Sequence, residues 1–426
     1  MKEPSPRSSA ADDAPILRDL RASILAAPLA VVKVGSSSLT DKDGFLAPER
    51  LQVLVEALAA RHATGRGVVL VSSGAQAAGM APLGLTSRPR NLAQAQAAAS
   101  VGQGLLMARY TEAFADHGIV TAQVLLTNTD VIRATHYRNA QRALTTLLGR
   151  DIVPIVNEND AVATDEIRFG DNDRLAALVA HLVRADALML LTDVDGLYDG
   201  PPCRPGARRI PLVTGPGDLD RLAVSGRGSA VGTGGMVAKV QAAMLAASSG
   251  IPVLLTSAAR ARDALDPHGG GLGDGDAPNP GLASGDHMAG RGHVPGGDEI
   301  HGTVFAVTGK RISAKRLWLG YAAQTRGRLR VDAGAARAVT TGKKSLLAVG
   351  VVAVDGDFGP GEPVEITDPN GRVIARGLAG YGAEDMAAVA GLTLAEIAEM
   401  LGADRALEAV HRDELAPHAR SRRPTA

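Results

Sequence analysis

Six short apolar segments between residues 29 and 257 constrain the fold of this chain more than any other feature. They are continuously apolar rather than alternating, which indicates strands covered on both faces of a sheet. The segments are LAVVKV (29–34), GVVLVS (67–72), IVTAQVLL (119–126), DIVPIVN (151–157), ALMLLTD (187–193) and IPVLLTS (251–257). Helix-like, Ala- and Leu-rich stretches separate them at 48–63, 90–116, 136–149, 172–184 and 235–249. This alternation predicts an α/β domain with a doubly wound, mostly parallel sheet, whose ligands bind beyond the carboxyl ends of the strands.

The composition and the apolar periodicity of the sequence divide the chain into four parts. Residues 1–27 are polar and acidic before any apolar stretch, so we expect a flexible N-terminal extension. Residues 28–308 hold the α/β domain, interrupted at 267–298 by a segment with eleven glycines and four prolines that is typical of a mobile insertion. Residues 309–410 contain runs of alternating polarity separated by Asp-Gly and Asn-Gly turns, which predict a small β-rich domain. A helix at 393–404 would close this domain, and residues 411–426 would form a tail.

The charge, the cysteine content and the lengths of the apolar runs indicate the compartment in which the protein is expected. Forty-five basic residues balance 45 acidic ones, so no overall field favours nucleic acid or an anionic membrane. A single cysteine, Cys203, excludes an internal disulfide framework and fits a reducing compartment. The N-terminus does not resemble a signal peptide, and no apolar run approaches the ~20 residues that span a bilayer. We therefore expect a cytoplasmic protein with no membrane segment.

The first two strands end in residues suited to anion binding. VVKVGSSSLT places Lys33 inside the first strand and a glycine with three serines just beyond it. A buried strand rarely carries a lysine unless the ammonium group meets an anion, although an edge lysine reaching solvent is the alternative. VSSGAQAAGM follows the second strand with Ser72 and Ser73, whose hydroxyls either bind a carboxylate or phosphate or cap the helix that follows.

Two later motifs favour phosphoryl transfer. LLTDVDGLYD places Thr192 and Asp193 after a buried strand, where they either contact a nucleotide or form an ordinary turn. SAVGTGGMVAKVQAAMLA places glycines before a helix that bears Lys239, but it matches neither the P-loop nor the dinucleotide fingerprint. Paired with Lys33, Lys239 indicates two ammonium groups that straddle a phosphoryl group in transfer. A kinase is the leading interpretation.

An acidic stretch, VNENDAVATDEIRFGDND, would then form the acceptor side. It carries six carboxylates after the fourth strand, for which a metal cluster, a pocket for a cationic substrate group and a solvated loop are alternatives. Asp160, Asn172 and Asp173 are the candidates for chemistry, although at least one of Asp171, Asn172 and Asp173 can simply cap the following helix. A carboxylate there can bind the ammonium group of an amino acid, an asparagine can contact its α-carboxylate, and an acid can hold the two lysines in place.

Together these motifs resemble the glutamate 5-kinases of the amino-acid-kinase family, and the resemblance spans residues 28–415. It implies phosphorylation of the side-chain carboxylate of L-glutamate by ATP with Mg²⁺, the first step of proline biosynthesis, with proline as feedback inhibitor and a homo-oligomeric enzyme. By position, Lys33 and Lys239 would contact the ATP phosphates and stabilise the transition state. Asp173 would organise the two lysines or the substrate. Glutamate would be bound by Ser73, Asp160 and Asn172. The nucleotide site would comprise Lys33, Thr192, Asp193, Thr233, Gly234, Gly235, Met236 and Lys239, with no protein-bound metal.

The β-rich region resembles the PUA domain that many glutamate 5-kinases append. Because PUA domains elsewhere bind RNA, a second function class arises. Residues 310–380 carry twelve Lys and Arg against six Asp and Glu, but their aromatic residues for stacking are few, so we expect no RNA partner. A third hypothesis is a related kinase whose acceptor is acetylglutamate or aspartate.

Overall fold

A computed structural model of the chain divides into two compact units: the first comprises residues 1–131 and 135–311, and the second comprises residues 132–134 and 312–426. Each unit has its own hydrophobic core. The structure describes residues 10–87, 89, 91–127, 130, 134–161, 172–220, 234–265, 301–309, 319, 325–340 and 344–417. The Gly-rich segment 267–298 therefore lies outside the described residues.

The first unit alternates strands and helices, as the apolar segments predict. Its strands are β1 (Leu29–Val34), β2 (Gly67–Ser72), β3 (Thr121–Leu126), β4 (Val153–Glu158), β5 (Ala187–Thr192), β6 (Leu197–Tyr198), β7 (Arg209–Ile210), β8 (Leu212–Val213), β9 (Val253–Ser257) and β10 (Thr303–Phe305). Its described helices are α1 (Ala10–Leu25), α2 (Ser36–Leu39), α3 (Pro48–Ala63), α4 (Ala75–Met80), α5 (Leu92–Ala115), α6 (Ala134–Leu148), α7 (Asn172–Leu182), α8 (Pro216–Asp220), α9 (Gly234–Ser248) and α10 (Ala261–Leu265).

Eight of these strands form one sheet in the order β3-β4-β2-β1-β5-β9-β10-β8. All neighbours are parallel except β9 and β10, which confirms the predicted mostly parallel sheet. Strand β1 lies in the interior, with β2 on one side and β5 on the other. The carboxyl ends of β1, β2, β4 and β5 therefore lie along the same edge, where ligands bind in such sheets.

Strand β3 departs from the expectation of strands covered on both faces. It has one neighbour, β4, and lies at the edge of the sheet. Most of its residues are half-buried or exposed, whereas every residue of β4 is buried. An apolar run in the sequence does not distinguish an edge strand from a central one, because position in the sheet depends on strand order.

The N-terminal segment corrects the prediction of a flexible extension over residues 1–27. Helix α1 begins at residue 10, and its Leu17 and Ile24 are buried in the core of the first unit. Arg61 of α3 is itself fully buried and donates to the main-chain carbonyls of Leu25, at 2.9 Å, and Ala27, at 2.5 Å. The apolar residues of α1 recur at helical spacing within a polar sequence, and the composition alone concealed this pattern.

The second unit is the predicted small β-rich domain. Its sheet has the order β12-β11-β13-β14-β15, built from β11 (Gly327–Val331), β12 (Val351–Gly356), β13 (Pro363–Thr367), β14 (Val373–Leu378) and β15 (Leu415–Pro417). Its helices are α11 (Ala333–Thr340), α12 (Ala383–Val389) and α13 (Leu394–Leu401). Helix α13 is the predicted closing helix, and Thr393 and Glu396 form a capping box at its start.

The C-terminal boundary of this domain differs from the prediction. Strand β15 pairs antiparallel with β14, so the domain includes residues 415–417 of the predicted tail 411–426. Three residues of pairing carry too little sequence pattern to predict a strand. Within the described part of the chain, no helix has both the length and the apolar character needed to cross a membrane.

Candidate active site

Lys33 lies on the central strand of the sheet. Its strand neighbours are Val71 on β2 and Leu190 on β5, and only 2% of the residue is exposed. A Cβ atom built at Gly35 would lie 3.6 Å from the Lys33 Nζ atom, so the main chain passes close to the ammonium group. The alternative of an edge lysine that extends into solvent is therefore wrong.

The structure brings Lys33, Asp173 and Lys239 together from three distant parts of the sequence. The Asp173 carboxylate is fully buried in the first turn of α7; its Oδ1 atom forms an ion pair with Lys33 Nζ. Its Oδ2 atom accepts a hydrogen bond from Lys239 Nζ of α9 at 3.2 Å. Two ammonium groups against one carboxylate leave a net positive charge, which suits an anionic ligand.

On the β2 and β4 side of Lys33, amide and hydroxyl groups form a polar cluster. Asn172 Nδ2 donates to Ser73 Oγ at 2.8 Å and to Asn157 Oδ1 at 2.9 Å. Asn157, the penultimate residue of β4, is buried and donates through Nδ2 to Gln103 Oε1 at 2.7 Å. Ser73 and Asn172, two of the predicted substrate-binding residues, are thus hydrogen-bonded to each other, and Asn157 and Gln103 join the same cluster.

Asp160 lies two residues beyond β4, in the wall of a cavity of about 300 Å³. Gln103 and Glu158 line the same cavity, which places Asp160 near the polar cluster. The other residues that line it are Ala75, Ala99, Ser100, Gly104, Gln123, Leu125, Asn159 and Ala161. The remaining acidic residues of the motif, Asp165, Glu166 and Asp171, lie outside the described residues.

Ser72, which precedes Ser73, fixes the main chain next to this cluster through two hydrogen bonds. Its hydroxyl lies 2.8 Å from the Tyr110 hydroxyl of α5 and donates to the Ser73 carbonyl at 2.9 Å. Burial raises the pKa of Tyr110 well above its ordinary value, so the phenol stays neutral. The main chain of the β2 to α4 connection is thereby fixed at the residue that carries the Ser73 hydroxyl.

The predicted nucleotide residues lie on the β5 and β9 side of Lys33. Thr192 ends β5 and is buried, with its hydroxyl donating to Asp193 Oδ1 at 2.7 Å. Gly234, Gly235 and Met236 form the first turn of α9, the helix that carries Lys239. The first turn of a helix presents unpaired N–H groups and favours anions. Thr233 lies outside the described residues.

Sequence reasoning missed Asn157 and Gln103 for different reasons. Asn157 lay within the quoted acidic motif, and a polar side chain at the end of a fully apolar strand was a signal that could have found it. Gln103 lies in the middle of α5 with no distinguishing pattern. Among the described residues there is no group of three or more His, Cys, Asp or Glu side chains arranged to hold a metal ion.

Comparison with known proteins identifies the family of the chain. The model of the amino acid kinase family matches residues 28–257, and the PUA domain model matches residues 327–401. A glutamate 5-kinase of Streptomyces coelicolor is 53% identical over 386 residues, or 90% of this chain and 95% of that protein. Glutamate 5-kinases of Thermobifida fusca and Bifidobacterium longum are 51% and 50% identical; they match 93% and 94% of this chain and 94% and 98% of their own lengths. The chain therefore belongs to the amino acid kinase family, in its glutamate 5-kinase branch, and carries a PUA domain after the kinase domain.

Proposed function

We propose that the chain transfers the γ-phosphoryl group of ATP to the side-chain carboxylate of L-glutamate, giving ADP and L-glutamyl 5-phosphate, the first step of proline biosynthesis. One observation carries this proposal: the buried Asp173 carboxylate holds the ammonium groups of Lys33 and Lys239 at the carboxyl edge of the sheet. A polar pocket lies on one side of Lys33 and the first turn of α9 on the other. The similarity to curated glutamate 5-kinases supports the acceptor.

The two lysines account for the catalytic chemistry. Phosphoryl transfer requires alignment of the attacking and leaving oxygens and fixed positive charge around the transferred group. Lys33 enters from the central strand and Lys239 from α9, so the two ammonium groups approach the transferred group from different elements. Asp173 holds both in place before substrate arrives, which lowers the reorganisation needed in the transition state.

The nucleotide would bind on the β5 and β9 side. Its phosphates would face the first turn of α9 and the two lysines, where net positive charge and helix N–H groups favour them. Thr192 and Asp193, at the end of β5, would contact the nucleoside or the phosphates. Mg²⁺ would accompany the nucleotide and offset phosphate charge, since this cation commonly binds through phosphates and retained water.

The acceptor would occupy the polar cluster and the adjoining cavity. Asp160 provides a carboxylate for the ammonium group of a free amino acid, and Ser73 and Asn172 provide polar atoms at the end of β2 and the start of α7. Proline shares the α-carboxylate and the cationic nitrogen of glutamate, so we propose that it inhibits in competition with glutamate. We also propose that the enzyme is a homo-oligomer.

The proposal is tested by a substrate panel. Coupled release of ADP is measured with purified protein, ATP and Mg²⁺ across L-glutamate, N-acetyl-L-glutamate and L-aspartate. We expect L-glutamate to be preferred by its kcat/KM. Preference for either other acceptor would replace the assigned substrate, and the absence of turnover together with tight, salt-sensitive RNA binding would replace the enzyme assignment with an RNA-binding one.

A further inference from the structure

Another cavity lies away from the candidate active site, between α6 and the C-terminal end of α7. Its volume is about 470 Å³, within the range of small-molecule sites. The residues that line it are Gln141, Arg142, Thr145, Thr146, Val183 and Arg184. Helix α7 begins in the candidate active site, and its 11 residues separate the two sites by about 16 Å.

The lining of this cavity is basic and rich in hydrogen-bond donors. Arg142 and Arg184 contribute guanidinium groups, two threonines contribute hydroxyls, and none of the described residues that line the cavity is acidic. The sequence of α6 contains no acidic residue either, and Arg138 lies one turn before Arg142. Like charges at this spacing repel each other, so an anion nearby would stabilise the helix. The C-terminal ends of α6 and α7 each carry roughly half a negative charge, which two guanidinium groups outweigh.

Arg184 occupies a backbone position that favours glycine. Its φ is 56°, in the left-handed region, and Asp151 is the one other described non-glycine residue with a positive φ. The main-chain N–H groups of Arg184 and Ala185 donate to the carbonyls of His181, at 3.2 Å, and Ala180, at 2.8 Å. Helices that end with this pair of hydrogen bonds usually carry glycine at the position of Arg184. Strained residues concentrate at functional sites, so this position indicates a role for the arginine side chain.

The end of α7 does not need the guanidinium group of Arg184 as a cap. The Leu182 carbonyl accepts from Gln141 Nε2 of α6 at 2.9 Å, and the two carbonyls before it accept from main-chain N–H groups. A glycine would supply the same main-chain N–H group without strain. The Gln141 contact also joins α6 to α7, which brings one arginine from each helix to the same cavity.

We propose that this cavity binds a phosphate-bearing small molecule, with Arg142 and Arg184 as its charged contacts and the two threonine hydroxyls as further donors. A guanidinium group presents a planar fork of donors that matches the oxygens of a phosphate group. The cavity is larger than one phosphate ion, so the ligand is a phosphate ester or carries a second phosphate. Because no residue of the proposed active site lines the cavity, binding here is independent of the proposed function.

Titration calorimetry of the full chain with inorganic pyrophosphate tests the proposal. A non-hydrolysable ATP analogue and Mg²⁺ are kept in excess, so that the lysines of the proposed active site are already occupied. We expect one further pyrophosphate to bind, and Arg142→Gln should weaken it about ten-fold or more, as for the loss of one charged hydrogen-bonding group. The matched control is Arg150→Gln, which removes an exposed arginine beyond α6 that does not line the cavity. It should change the affinity by less than about two-fold.

The substitution Arg184→Gly separates binding from folding. It should also weaken pyrophosphate binding about ten-fold or more. Its midpoint of urea unfolding should nevertheless equal or exceed that of wild type, because glycine relieves the left-handed strain. A substitution that merely damaged the fold would lower both the affinity and the midpoint.

Several results would overturn the proposal. They are the absence of pyrophosphate binding by wild type, and an affinity unchanged by Arg142→Gln and Arg184→Gly. An equal loss in Arg150→Gln would indicate a general effect of net charge, and a lower urea midpoint for Arg184→Gly would show that the side chain serves the fold. Citrate, a polycarboxylate without phosphate, is titrated in parallel, and tighter binding of citrate than of pyrophosphate would contradict phosphate recognition.

Discussion

The charge on Asp173 can be removed almost without change of shape by the substitution Asp173→Asn. The wild-type carboxylate is fully buried between Lys33, whose side chain is 3% exposed, and Lys239, whose side chain is 15% exposed. At 3.2 Å and an effective dielectric constant of about 20, Coulomb's law gives about 5 kcal/mol for one such contact. Removal of one partner of a buried ion pair typically costs about 3–5 kcal/mol.

We therefore expect Asp173→Asn to lower the free energy of unfolding by about 3 kcal/mol, because two ammonium groups then share a site without a counter-charge. Without the carboxylate, the two ammonium groups are no longer held in place for the transition state. A loss of about 3 kcal/mol of transition-state stabilisation corresponds to a fall in kcat of at least about a hundred-fold. Urea unfolding at neutral pH measures the first quantity. Coupled ADP release at saturating ATP and L-glutamate measures the second.

The matched control removes a carboxylate from an exposed ion pair. Glu112 lies 3.2 Å from Arg109, and the two side chains are 71% and 57% exposed, so Glu112→Gln should change the free energy of unfolding by less than about 1 kcal/mol and leave kcat unaltered. If Asp173→Asn retained kcat within about three-fold of wild type and unfolded like the control, the role assigned to Asp173 would be refuted.

Three further predictions follow from single contacts. Lys239→Ala should depress kcat far more than it raises the KM for glutamate, whereas Asp160→Ala should act mainly on that KM; steady-state kinetics showing equal effects would contradict this division. Gly102→Ala should lower the free energy of unfolding by roughly 3 kcal/mol or more, since its methyl group would meet the Ala75 carbonyl, and denaturant unfolding measures this. Burial lowers the pKa of Arg61 to about 10, so the side chain stays charged below that pH. Arg61→Met should therefore lower unfolding stability equally at pH 6 and pH 8.5, as two pH-matched urea titrations can show.

Much of the fold was predictable from local pattern. The six apolar segments all became strands, and helix α3 begins and ends at the predicted residues. Two errors concern segments whose contacts are remote in sequence: α1 is held by Arg61, and β15 pairs with β14. A short or polar segment gives little periodic signal, and its structure depends on a partner that the local sequence does not reveal.

The candidate site shows the same division. Lys33, Asp173 and Lys239 were identifiable from their motifs: Lys33 is a charged residue within an apolar strand, Asp173 lies at the start of a helix, and Lys239 lies in a helix that follows a glycine-rich segment. The convergence of the two lysines on the Asp173 carboxylate was not predictable. Asp173 and Lys239 lie 66 residues apart and meet through the packing of α7 against α9. Gln103 carried no signal in the sequence at all.

By itself, the sequence determined the order of strands and helices, the family and the residue types available for chemistry. Periodicity and motifs are local properties, because they depend only on residues that are neighbours in the sequence. Only the tertiary structure decided which strand lies at the centre, that two lysines share one buried acid, and which polar side chains meet at the ends of β2 and β4. Those properties depend on distances between residues remote in the chain, and close packing together with hydrogen-bond direction sets them.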